Sequence, residues 1–226
     1  MAEYLMGIDA GTGSVRVALY DFRGQNRAYH IEEYATTYPR NGWAEQDDKG
    51  WWAALSKAIP ECIKKAGIGP DNIAAITCDA TTNTLVYLGE DDESVRPPIL
   101  WMDVRATEEA SFIDEIREDY EATRFYKPSF RADTMVPKCM WVKKHEPENW
   151  AKTKTIMEFE DWLNWKLTGK KSVCMSIAAF RWNYDDKNGG YPVDFYNAVG
   201  LDDVIDKFPK DIYRVGEVIG NVSREA

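Results

Sequence analysis

The chain opens on residues that alternate apolar and polar with a period of two, broken by a short run of glycines and hydroxyls. Tyr4 to Ile8 is apolar-rich, Asp9-Ala10-Gly11-Thr12-Gly13-Ser14 is turn-forming, and Val15 to Asp21 resumes the alternation. Phe22 to Gln25 reads as a second turn, with a third strand running through about Glu33. From Asp48 the period changes to that of a helix. Trp51, Leu55, Ala58, Ile59, Cys62 and Ile63 share one face, and Gly67 suits the stop. Pro60 breaks this pattern and predicts a kink or an early end. Strands are expected at Ile73–Thr77 and Thr84–Leu88, and helices at Ala106–Ile116, Pro137–Lys144 and Phe159–Leu167. A loop is expected over Trp182–Gly190, and a short helix over Tyr191–Val199. A hairpin followed by alternating β and α segments predicts an α/β domain with a mixed sheet and flanking helices.

The first turn carries chemistry. Lying between two strands, its amides and hydroxyls can face an anion. Gly11 and Gly13 allow close approach of a phosphate to the backbone, and Thr12 and Ser14 add hydroxyl donors. Asp9, at the strand end, suits Mg²⁺ directly or through water, and Arg16 suits phosphate charge. Two common nucleotide motifs do not fit. There is no GxxxxGK[ST] loop, and the Gly-x-Gly leads into a strand where a dinucleotide fingerprint would open a helix. An ordinary hairpin turn uses the same residue types. Asp9 is harder to explain that way, because a strand-end carboxylate beside such a turn has little structural purpose.

Composition narrows the partners. A net charge of −10 argues against nucleic acid or an anionic membrane surface. The 44% of apolar residues are enough for a packed core, and no apolar run is long enough for a membrane span. The start, MAEYLMGIDAG, shows no secretory signal, and Cys62, Cys78, Cys139 and Cys174 lie far apart, so reduced, buried thiols in a cytoplasmic protein are expected. Only His30 and His145 are present, which disfavours a His-based metal centre or a Ser-His-Asp triad.

Six segments, the turn among them, carry the pattern along the chain. Gly7 to Arg16, closing at Asp21, resembles the first phosphate motif of the FGGY carbohydrate kinases. Gly42-Trp43-Ala44-Glu45-Gln46-Asp47 with Trp51-Trp52, Ile99-Leu100-Trp101-Met102-Asp103-Val104-Arg105-Ala106, and Pro137-Lys138-Cys139-Met140-Trp141 are similar to further family segments. So are Asp161-Trp162-Leu163 with Leu167-Thr168-Gly169, and Val215 to Gly220 with Ser223 to Ala226. The resemblance implies the actin, sugar-kinase and heat-shock-ATPase fold, with residues 1–226 as its ribonuclease-H-like N-terminal, sugar-binding domain. It also implies ATP and Mg²⁺ as cofactors and a sugar as substrate. The ATP-binding C-terminal domain, the second phosphate motif, the adenosine motif and the Asp that serves as catalytic base are not matched within the chain. The chain alone is therefore expected to be inactive.

The same resemblance implies sugar contacts at Asp79, Ala80 and Thr81, at Trp101, Asp103 and Asp133. The Asp-Ala-Thr triplet and Trp182-Asn183-Tyr184-Asp185 look most like the ribulose-kinase branch, pointing to a ketopentose. Xylulose, glycerol or another polyol are the alternatives within the family. A non-catalytic sugar-binding module and an actin-like or chaperone-type ATPase are the alternatives outside it. Each residue also has a plainer reading: Asp79 as an Asx turn, Trp101 as core, Asp103 with Arg105 as a loop-ordering pair, Asp161 as a helix-dipole charge, and Glu45-Gln46-Asp47 as a helix cap. For the last three the plainer reading is the favoured one. Nine tryptophans leave room for an interface in a full-length homodimer.

Overall fold

The computed structural model describes residues 3–123, 129–187 and 189–226. The chain forms two compact units. The first comprises the chain up to Thr37 and Gln46–Thr81; the second comprises Tyr38–Glu45 and Thr82–Ala226.

The first unit is built on a four-stranded sheet of β1 (Tyr4–Ala10), β2 (Ser14–Asp21), β3 (Asn26–Glu33) and β4 (Ile73–Ala80), in the order β3-β2-β1-β4. The sheet is mixed: β1–β2 and β2–β3 are antiparallel, while β4 runs parallel to β1. A parallel neighbour needs a crossover, and α1 (Asp48–Ala66) supplies it. The Asp47 carboxylate accepts from Lys49 N–H at its start, and Gly67 ends it at φ 68°. Trp51, Ala54, Leu55, Ala58 and Cys62 form its buried stripe, and Met6, Ile8, Ala10, Ser14, Val15, Val17 and Leu19 are the buried residues of β1 and β2. The expected early end at Pro60 does not occur, and the helix runs on to Ala66. Pro60 deprives only Ser56 of its helical hydrogen bond, and both residues are exposed, so water replaces the lost donor while Cys62 continues the buried stripe. The turn is shorter than expected, because pairing of Asp9 with Arg16 and Ala10 with Val15 extends the strands and leaves Gly11–Gly13 as the loop.

The second unit pairs β5 (Leu85–Leu88) antiparallel with β6 (Thr155–Glu158), and all eight residues are buried. Helices α2 (Thr107–Ile116), α3 (Met135–His145), α4 (Pro147–Lys152) and α5 (Phe159–Thr168) follow the helical signals, apart from the short α4. A three-residue pair, β7 (Ser172–Cys174) parallel to β8 (Asp211–Tyr213), together with α6 (Met175–Arg181) and α7 (Val193–Ala198), completes the unit. One apolar cluster including Leu85, Tyr87, Ile113, Val136, Trp182, Phe195 and Phe208 forms its core. Besides the mixed sheet, therefore, the described residues form two separate two-stranded sheets. The expected loop after α6 is present, with Asn188 outside the described residues. All four cysteines are free, but only Cys62 and Cys139 are buried; Cys78 and Cys174 are partly exposed. Among the described residues no helix is long and apolar enough to cross a membrane.

Candidate functional site

In the first unit the Gly11–Gly13 loop is held by its carbonyl oxygens. The Tyr34 hydroxyl donates to Gly11 O and Ser14 O, Tyr34 N–H donates to Gly13 O, and Gln46 Nε2 donates to Thr12 O at 2.6 Å. Gln46 Nε2 also reaches Thr36 Oγ1, and its own oxygen accepts from Trp51 Nε1 at 2.8 Å. Burial pushes the Tyr34 phenol up, helped by the nearby Asp9 charge, so it remains a donor. In a trans peptide the N–H points opposite to the carbonyl. Fixing the carbonyls of Gly11, Thr12 and Gly13 therefore turns the N–H groups of Thr12, Gly13 and Ser14 the other way, as an anion cradle requires. A Cβ on Gly13 would meet nothing within 4 Å, whereas one on Gly11 would meet Arg16 Nη1 at 3.0 Å. Gly11 thus lies close beneath the arginine's flexible tip, and Gly13 leaves open space.

The sheet register aligns three charges. Asp9 is opposite Arg16 on β2 and beside Asp79 on β4. Residues in register on neighbouring strands project to the same face, so Arg16, Asp9 and Asp79 form a row across the sheet end. All three are exposed. Arg16 Nη1 donates to Asp9 Oδ2 at 2.9 Å. The arginine expected to meet phosphate is thus held, in this state, by the carboxylate beside it. Thr81 N–H donates to Ala10 O, carrying the β1–β4 pairing past Ala80, which is buried. Mg²⁺ takes one or two carboxylates and completes its shell with water and phosphate oxygens. Asp9 and Asp79 fit that donor set. Among the described residues no cluster of three or more His, Cys, Asp or Glu could hold a metal by itself.

In the second unit the remaining candidates divide. Trp101 is 38% exposed, so it is not core, and its N–H donates to Thr84 Oγ1. Asp103 is fully buried, and its oxygens accept from Ala44 N–H, Arg105 N–H, Arg105 Nε and Arg105 Nη2. That corrects a direct sugar contact for Asp103: its carboxylate is already spent on holding its own loop. Arg105 also pairs with Glu45, which pairs with Arg96, and its guanidinium lies over the Trp43 ring at 4.0 Å. These residues of two resembling segments thus form a buried ion network, the setting in which a charge is tolerated only if paired. Of Glu45-Gln46-Asp47, only Asp47 caps the helix. Asp133 is nearly buried and gripped at both oxygens by the Arg131 guanidinium.

Deeper in this unit is Lys138, fully buried, with Nζ donating to Asn83 O at 2.6 Å and Leu100 O at 2.7 Å. Glu158, also fully buried, accepts from Trp182 Nε1. Burial pushes the lysine down to about 8 and the glutamate up to about 7, each opposed by the other's charge. Asp161, expected as a helix-dipole charge, lies in the first turn of α5, is 1% exposed and accepts from Cys174 N–H. Burial raises it well above the usual carboxylate range.

A profile described as the FGGY family of carbohydrate kinases, N-terminal domain, matches residues 4–226. A xylulose kinase of Staphylococcus epidermidis is 27% identical over 99% of this chain and 44% of its own length. An FGGY carbohydrate kinase domain-containing protein of Homo sapiens is 27% identical over 97% of this chain and 41% of its own. The chain spans less than half the length of these relatives. Among solved structures, a xylulose kinase from Brucella ovis superposes with a TM-score of 0.85 at 24% identity, covering 97% of this chain and 45% of that one. A gluconate kinase from Lactobacillus acidophilus gives 0.85 at 23% identity, covering 100% and 44%. These likenesses show the sugar-kinase fold. With the family profile spanning nearly every residue, the chain belongs to the FGGY family of carbohydrate kinases and matches their N-terminal domain.

Proposed function

We propose that the chain is the sugar-binding half of an ATP-dependent ketopentose kinase, whose complete form transfers the γ-phosphoryl group of ATP to a sugar hydroxyl. The observation that carries this reading is the pinned Gly11–Gly13 loop beside the in-register row of Arg16, Asp9 and Asp79. Phosphoryl transfer relies on positioning and on neutralising the moving charge, and a loop with outward N–H groups, a carboxylate pair and an arginine supplies both. In this reading the N–H groups and hydroxyls of Thr12, Gly13 and Ser14 cradle phosphate, Gly11 admits Arg16, and Asp9 holds Mg²⁺. Mg²⁺, when bound, supplies charge neutralisation on the phosphates. Within the first unit Asp79 and Thr81 are the residues offered for sugar contact; within the second, taken by itself, they are Trp101 and Asp133. Ala80 is buried and supports the backbone there, and Asp103 acts by ordering its loop.

The Asp79-Ala80-Thr81 triplet supports ribulose, whereas several relatives are named xylulose kinases, so both ketopentoses belong in the first screen. The catalytic base belongs to the C-terminal domain, and closure of the two domains would exclude water. The free thiols suit a reducing cytoplasm. The test uses the protein encoded by the complete reading frame. Asp9→Ala should lower kcat roughly 100-fold or more while sugar KM stays within about threefold. An unchanged kcat would remove Asp9 from the phosphate site. Absence of a C-terminal half would favour a sugar-binding module.

A further inference from the structure

A buried ammonium needs a reason, because an apolar residue of similar size is cheaper to bury. Lys138 is at 0% exposure within the second unit, and its Nζ donates to two backbone carbonyls from different loops. Asn83, one of the two, is buried and holds φ 61°, a left-handed conformation that a non-glycine residue keeps only when its surroundings impose it. Leu100, the other, immediately precedes Trp101, whose N–H returns to Thr84 Oγ1. The lysine and the tryptophan amide thus tie residues 83–84 to residues 100–101 at two points. Asp103 N–H also donates to Leu100 O, so that carbonyl is the shared acceptor of the loop.

We propose that Lys138 is a positioning residue: its ammonium clamps the Asn83 and Leu100 carbonyls together, fixes the backbone that carries Trp101, and so sets sugar affinity without touching the sugar. The inference rests on the reading of Trp101 as a sugar-facing residue. The charges around the clamp are Glu158 at the end of β6, Asp133 just before α3, and Asp103 and Arg105 in the segment between Leu100 and α2. The three carboxyl groups favour the ammonium; Arg105 and burial oppose it.

The clamp is tested first on this chain by hydrogen exchange. Lys138→Met should speed exchange at least tenfold at the amides of residues 83–85 and 101–104, leaving α1 unchanged. Exchange unchanged at these amides overturns the clamp. In the complete protein, Lys138→Met should raise sugar KM about tenfold or more with ATP KM within twofold. Wild-type sugar KM should rise as pH passes about 8, where the ammonium is lost. Glu158→Gln, which keeps the side chain's volume, removes the charge that favours the ammonium and should move that rise to lower pH. This variant keeps the inference testable if Lys138→Met does not fold. A sugar KM equal in wild type and variants at every pH overturns it. Loosened amides in a protein that phosphorylates no sugar would uphold the clamp and refute the kinase reading.

Discussion

Thr12 O accepts from a glutamine that is in turn fixed by a tryptophan, and this chain of contacts holds the phosphate loop to the body of the first unit. Gln46→Ala leaves Trp51 Nε1 and Thr12 O without these partners. A cost of about 1–3 kcal/mol follows, or roughly 2–10 °C in Tm. Gln46→Glu keeps the acceptor for Trp51 but lacks the donor for Thr12 O. It should therefore raise ATP KM in the complete protein with a smaller loss of Tm. Equal effects of the two variants on both quantities would contradict a separate role in holding the loop. The Gly11–Gly13 turn at the end of β1 was legible in the sequence because turn-forming residues act locally. Gln46 was not, because its role depends on contacts with residues far away in the chain. The same limit applies to Asp103: a sequence shows an acid, but not whether an arginine has already claimed it.

Buried acids make their own prediction. Asp161 and Glu158 both hold their protons more tightly in the folded state than in the unfolded chain. Folding then takes up protons, so stability falls as pH rises from the ordinary carboxylate range toward their folded values. Asp161→Asn keeps an acceptor for Cys174 N–H and cannot ionise. Its Tm should decline less steeply with pH and be higher at neutral pH. A slope identical to wild type, measured by thermal unfolding across pH 4–8, would place the proton elsewhere.

At the scale of elements, Pro60 is where local preference and tertiary packing disagree. Proline is disfavoured inside a helix, yet α1 continues because its buried stripe extends to both sides of that residue. Pro60→Ala should raise stability by about 1–2 kcal/mol, after allowance for the freer unfolded chain. An unchanged or lower Tm would show that the position gains nothing from a helical N–H. The long, periodic elements were legible: β1 to β3, α1, α2, α3 and α5 fall where the alternation or helical spacing put them. The missed ones are short or uniformly buried. β7 and β8 have three residues each, and α4 and α6 have six and seven, too few to show a period. β6 is buried on both faces and carries no alternation to read.

At the scale of the molecule, the chain is the N-terminal-domain match of a two-domain family and spans less than half of its relatives' length. The fold and family follow from segments spread along the whole chain. The choice among sugars does not, since in the proposed reading it would turn on a few side chains such as Asp79, Thr81 and Trp101. The central claim is ketopentose phosphorylation by the complete protein, and the most direct measurement is ADP release with ATP and Mg²⁺ in the presence of xylulose, ribulose, glycerol or gluconate in turn. The account predicts kcat/KM at least tenfold higher for one of the two ketopentoses than for glycerol or gluconate, with no turnover by residues 1–226 alone. Preference for glycerol or gluconate, or turnover by the 226-residue chain, would contradict it.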